Sequence, residues 1–241
     1  MLQGELKRHE LQSVNWLRVC SRSHQYFDQP IVLDGLNLTF PNLVHLEIPV
    51  NVTQSEFSGI ISGFTSLQTL LVKGSNLRSV VNQPLLKKLI IRNHDEPSII
   101  IKECPMLETL MLLFCYLSNW SFLEEISSLQ HLTIQRGYDD PWGMTGKPVH
   151  NVELIDNIVK YCRNIKTLRV DGYSVTAKDL ERLVYQLPKL KKVVVHNRNY
   201  DENLVTFAAN LQTNKKDIEI IVTKRKLVVS FVFLTGSTNK N

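Results

Sequence analysis

The sequence predicts an α/β fold: a right-handed solenoid of parallel strands on a concave face, with short helices and loops returning across the convex side. Two observations carry this expectation. A motif of the form L-x-x-L-x-L returns along most of the 241 residues, and the segments between its copies contain stretches of helical periodicity. With 43% hydrophobic residues, the chain can bury a sizeable core.

The clearest copies begin at Leu43 (LVHLEI), Leu67 (LQTLLV), Leu86 (LKKLII), Leu107 (LETLML), Leu129 (LQHLTI), Ile165 (IKTLRV) and Leu190 (LKKVVV). Their starts are separated by 24, 19, 21, 22, 36 and 25 residues. A weaker copy surrounds Ile218, Ile220 and Val222, and Ile31 to Leu38 is read as a partial first copy. Positions 4 and 6 of each motif alternate to one side of a short strand, and position 1 enters the same core from the preceding bend. A single unit cannot bury its apolar side alone, so copies must stack.

The returns predict helices over Glu56 to Phe64, Ser121 to Ile126, Val152 to Tyr161, Lys178 to Leu187 and Glu202 to Leu211. Asn151 is a candidate N-cap, and Thr176 with Asp179 fits an acidic variant of the capping box. Leu180, Leu183, Val184 and Leu187 form one stripe that ends at Pro188. Residues 137–148, rich in Gly and Pro, read as a loop inserted between two repeats. Tyr138, Trp142 and Met144 are its candidate contact residues.

This repetition resembles the leucine-rich-repeat family, and in particular the cysteine-bearing repeats of F-box/leucine-rich-repeat proteins. Glu103-Cys104-Pro105-Met106-Leu107 and Tyr161-Cys162-Arg163-Asn164-Ile165 are similar to that family's Cys-Pro-x-Leu entry into a repeat. Cys115 stands where the family places an inward Asn or Cys bonded to the turning backbone, and Asn51 holds the matching place after Leu43. Ser75, His94, Gly137, Tyr173 and Arg198 occupy it in other copies. The segment from Trp16 to Phe27 is similar to the last helix of an F-box, but no Leu-Pro-x-Glu-x-Leu opening precedes it. The resemblance thus implies an incomplete or lost F-box. Where an F-box acts, it implies contacts to the adaptor of a cullin-type ubiquitin ligase through Trp16, Val19, Tyr26 and Phe27.

The expected division is an N-terminal helical segment or cap over 1–29, a leucine-rich-repeat solenoid of about 7–8 irregular copies over 30–226, and a C-terminal strand or cap with a polar tail over 227–241. In such a solenoid, positions 3, 5 and 7 face the concave side, where a partner can span several repeats. Position 5 reads Glu47, Leu71, Ile90, Met111, Thr133, Arg169 and Val194. Lys73, Arg92, Leu113 and His196 hold position 7, and Lys88 holds position 3. This predicts an apolar centre with a mostly basic rim, suited to a protein partner acidic at its edge.

Composition narrows the function classes. Four dispersed cysteines without a CxxC pair argue against a disulfide scaffold or a zinc site and point to reduced thiols in the cytoplasm or nucleus. The N-terminus lacks an apolar signal core, and the late apolar run Leu227 to Leu234 is eight residues long, well short of a bilayer span. No membrane association, cofactor or metal is expected, and the chain is expected to be a monomer.

The seven histidines occur singly, no phosphate loop is present, and no nucleophile accompanies the acidic pairs Glu124-Glu125 and Asp139-Asp140, so catalysis is not expected. Net charge is +5. Met1 to Tyr185 carries 18 basic and 19 acidic residues, whereas Gln186 to Asn241 carries 10 and 4. Three functions stay open: a non-catalytic protein-interaction solenoid, the substrate-receptor subunit of a cullin-type ligase, and phosphate-backbone binding. The last would use Lys189, Lys191, Lys192, Arg198, Lys215, Lys216, Lys224, Arg225 and Lys226.

Overall fold

Among the described residues, nine short strands of three to six residues, most beginning at position 3 of a sequence motif, hydrogen-bond side by side into a parallel sheet in a computed structural model of the chain. The structure describes residues 12–19, 36–48, 61, 63–73, 79–80, 83–92, 100–101, 104–115, 121–136, 152–197 and 202–224. The sheet strands are β1 (Trp16–Arg18), β2 (His45–Ile48), β3 (Thr69–Lys73), β5 (Lys88–Arg92), β7 (Thr109–Leu113), β8 (His131–Gln135), β9 (Thr167–Asp171), β10 (Lys192–Asn197) and β11 (Glu219–Lys224). They lie in chain order, and every pairing is parallel.

The register follows the motif without a slip. Leu46 pairs with Leu70, Leu70 with Leu89, Leu89 with Leu110, Leu110 with Leu132, and Leu132 with Leu168. These position-4 residues, and Ile48, Val72, Ile91, Leu112, Ile134 and Val170 at position 6, are buried in one continuous core. Position 1 joins it through Leu43, Leu67, Leu86, Leu107, Leu129, Ile165 and Leu190. A one-residue slip would turn all of these out of the core, which is why the register is so strongly specified.

Backbone bonding repeats with the sequence. The amides at positions 2 and 3 share the position-2 carbonyl of the preceding strand: Lys87 and Lys88 on Gln68, Glu108 and Thr109 on Lys87, Lys191 and Lys192 on Lys166. The amide at position 1 returns to the carbonyl three residues earlier, as in Leu107 to Cys104 (3.1 Å) and Ile165 to Cys162 (3.1 Å). Each bend is thereby closed on itself and hydrogen-bonded where it enters the core.

Return length decides what crosses the other side. Among the described residues, the returns of the two shortest intervals, 19 and 21 residues, carry the two-residue strands β4 (Ser79–Val80) and β6 (Ile100–Ile101), which pair in parallel. The next, 22 residues, carries a 3-10 turn over Ser121–Glu125. Longer intervals accommodate α2 (Val152–Tyr161) and α3 (Ala177–Gln186), and α4 (Glu202–Asn214) precedes the last strand. Thr176 caps α3 reciprocally: its Oγ1 accepts from the Asp179 amide (3.2 Å), while the Asp179 carboxylate accepts from the Thr176 amide (3.0 Å). Leu180, Leu183, Val184 and Leu187 are buried against the core as their spacing predicts.

Two expectations are corrected. Trp16–Arg18 forms a strand paired with His45 to Glu47, not part of a helix. Of Ile31 to Leu38, read as a partial first copy, residues 31–35 lie outside the described residues, and 36–38 belong to a short helix, α1 (Leu36–Thr39). The first copy is instead V-x-x-L-x-V at Val14, Leu17 and Val19, whose apolar residues pack on the core. Asn15 holds its position 2 and accepts from the amides of Val44 and His45, as Val44, Gln68, Lys87, Glu108, Gln130 and Lys166 each accept two amides in later copies. Residues 137–148, 227–241, Asn151, and most of the predicted helix Glu56 to Phe64 lie outside the described residues.

Candidate functional site

The face of the sheet opposite the core carries positions 3, 5 and 7. Its position-5 residues stand in one lateral row: Arg18, Glu47, Leu71, Ile90, Met111, Thr133, Arg169, Val194 and Ile221. Neighbouring strands sit about 4.8 Å apart, so such a row brings together residues far apart in sequence.

Its middle is apolar. Ile90 and Met111 are partly exposed, whereas Leu71 and Leu113 are each only 8% exposed. The expectation that Leu71 and Leu113 present open apolar surface therefore needs correction. They form the floor of the patch, and Ile90 and Met111 supply its accessible part. Phe114, immediately after Leu113, adds an aromatic ring that is 36% exposed.

Phe114 was not among the sequence-predicted contacts. It occupies position 8 with φ 59°, while Gly172 takes φ 84° at the same position of a later copy. Left-handed backbone costs a residue with a Cβ roughly 1–2 kcal/mol, so glycine is the expected occupant. The bend holds Phe114 there through its amide, which donates to the Gln135 carbonyl at 2.7 Å. An aromatic residue at a position suited to glycine was the available sequence signal. Cys115, next in the chain, is buried, and its thiol lies 3.6 Å from the carbonyl oxygens of Ile91 and Leu113, the inward role implied by the resemblance.

Charges divide the face. At one end Arg18 pairs with Glu47 (3.4 Å); at the other Lys192 pairs with Glu219 (2.9 Å) and Arg169 lies 3.9 Å from Asp171. Between them Lys73 and Arg92 are register partners of like sign, and Lys88 stands exposed on the same strand as Arg92. None of these three makes an ion pair among the described residues. Thr133 and Val194 are partly exposed, and His196 Nδ1 is 2.6 Å from Thr223 Oγ1.

Trp16 is 53% exposed at the first strand, and Val19 packs on the core. Tyr26, Phe27, Tyr138, Trp142 and Met144 lie outside the described residues.

Among the described residues of the basic C-terminal quarter, several cations are already engaged. Lys191 pairs with Asp217 (3.4 Å), Lys192 with Glu219, Lys189 donates to Asn164 (2.8 Å), and Lys215 covers the Tyr185 ring at 4.7 Å. His45 and His131 are separated across the sheet by Thr69, Lys88 and Thr109. Among the described residues no group of three or more His, Cys, Asp or Glu is arranged to hold a metal ion, and no helix is long and apolar enough to cross a membrane. Cys104, Cys115 and Cys162 are buried, and burial pushes the Cys162 thiol up to about 12.

No family model matches the chain, and no curated protein matches it. Among solved structures, an internalin from Listeria monocytogenes aligns at 16% identity over 81% of this chain, with a TM-score of 0.48. The aligned chain spans 52% of that protein, about half its length. Similarity at this level carries no argument about role.

Proposed function

We propose that the chain is a leucine-rich-repeat solenoid that binds a protein partner on the concave, open face of its sheet and performs no catalysis. The observation supporting this reading is the lateral pair Ile90–Met111, accessible apolar surface from two adjacent repeats beside the covered Leu71 and flanked by Lys73, Lys88 and Arg92. Contiguous exposed apolar surface rimmed by charge commonly marks a protein contact. Substrate reception for a cullin-type ligase has no comparable support, because Trp16–Arg18 is a strand within the repeat array.

The test is affinity capture from native extract with the full chain and with an Ile90→Ser/Met111→Ser variant. These side chains are partly exposed, so the variant is expected to keep its circular-dichroism spectrum and to lose at least one captured protein. Identical capture by both chains refutes binding on this face. Recovery of a cullin and its adaptor by both chains would establish the ligase reading instead of a plain interaction role.

A further inference from the structure

We infer that the patch around β5 and β7 takes a linear, acidic segment of a partner protein, anchored by large apolar side chains that pack on Ile90, Met111 and Phe114. This rests on the proposed use of the open face and adds the chemistry of the segment.

Charge complementarity identifies the occupant. At the ends of the face, facing cations and carboxylates neutralise one another: Arg18 with Glu47, Lys192 with Glu219. At β3 and β5 the register instead sets Lys73 beside Arg92, and like charges directly opposite each other destabilise a sheet. Neither finds a carboxylate among the described residues. A bound segment carrying Asp or Glu beside this pair supplies the missing charge.

Apolar surface beside that pair argues for a peptide over a nucleic acid backbone. Arg92 is the register partner of Leu113, and Ile90 of Met111, so the cationic and apolar positions lie one strand apart. Phe114 extends the apolar side beyond the strand ends, in a backbone conformation that glycine would take without steric cost. An extended segment that turns both acidic and apolar side chains toward the sheet matches this arrangement, and residues two apart in such a segment face the same way.

The test pans a random dodecapeptide display library on the full chain, then measures binding of the selected peptides by fluorescence anisotropy. Selected sequences are expected to combine Asp or Glu with Leu, Phe, Met or Trp. Their Kd should rise at least tenfold in Lys73→Glu/Arg92→Glu and in Phe114→Gly, and binding should weaken with added salt. Phe114→Gly is expected to unfold at the same temperature as the parent or higher, which separates lost binding from lost folding.

Failure to select any peptide, selection without acidic enrichment, or unchanged affinity in both variants overturns the inference. Displacement of the peptides by oligodeoxythymidine that binds Phe114→Gly as well as the parent also overturns it, in favour of a phosphate site. If the protein lost by Ile90→Ser/Met111→Ser is still captured by Lys73→Glu/Arg92→Glu and by Phe114→Gly, this inference fails while the broader reading stands. If Ile90→Ser/Met111→Ser loses nothing, the broader reading fails with it.

Discussion

Cys162 gives the fold a specific alkaline sensitivity. Its thiol is buried where the bend after α2 enters the next repeat, and its ionisation is pushed up to about 12 from an ordinary 9.0 because the thiolate would lose its hydration. The folded state therefore holds the proton more tightly than the unfolded chain. Stability linked to this group is fully present below pH 9 and is lost progressively as pH rises towards 12.

Three pH units at about 1.36 kcal/mol each set an upper figure of about 4 kcal/mol, of which about 2 kcal/mol is lost by pH 10.5. Lysines titrate in the same range, so the informative quantity is the difference between the parent and Cys162→Ala, in which this ionisation is absent. Urea unfolding at intervals between pH 8 and 10.5 should show the parent losing about 2 kcal/mol more than the variant. Parallel pH profiles for the two chains would refute the assignment of a strongly raised thiol to this site.

Two further predictions address local structure. Thr176→Ala removes the side-chain half of the reciprocal cap on α3 and should lower stability by about 1 kcal/mol in urea unfolding, whereas Thr176→Ser should recover most of it. An unchanged midpoint in Thr176→Ala would show that the cap contributes nothing. Gln83→Leu should cost about 1–3 kcal/mol, because buried Gln83 Nε2 donates to the Ile61 carbonyl at 2.6 Å and leucine leaves that acceptor unmet. Thermal unfolding checks it, and a variant as stable as the parent would mean that water replaces the bond.

Much of the candidate site is legible in the motif because side-chain direction on a strand alternates locally. Once Leu67, Leu70 and Val72 are committed to the core, Leu71 must face the other way, and the same step places Ile90 and Met111 beside it. How accessible each becomes is not a local property. Leu71 is covered, and Met111 is not, because burial depends on the neighbours that stacking supplies. The first copy, at Val14, is hard to read in the sequence because valine replaces leucine at its first position and it sits in a charged stretch that reads as helical. Its pairing with His45 to Glu47 reveals it.

The sequence by itself determined the repeating unit, the inward residues and hence the parallel register, since each follows from the two-residue alternation of a strand and the need of each copy to cover its apolar side. Tertiary structure alone decided which charges meet. Lys192 and Glu219 are 27 residues apart and touch only because one return places their strands side by side, and the same geometry sets Lys73 against Arg92 with no carboxylate partner among the described residues. It also decided the backbone of Phe114, which the bend holds in a left-handed conformation by bonding its amide to the next strand. The physical reason is common to both: a strand's pattern fixes the face a side chain takes, while its lateral partner is fixed by the length and path of the chain that returns to the sheet.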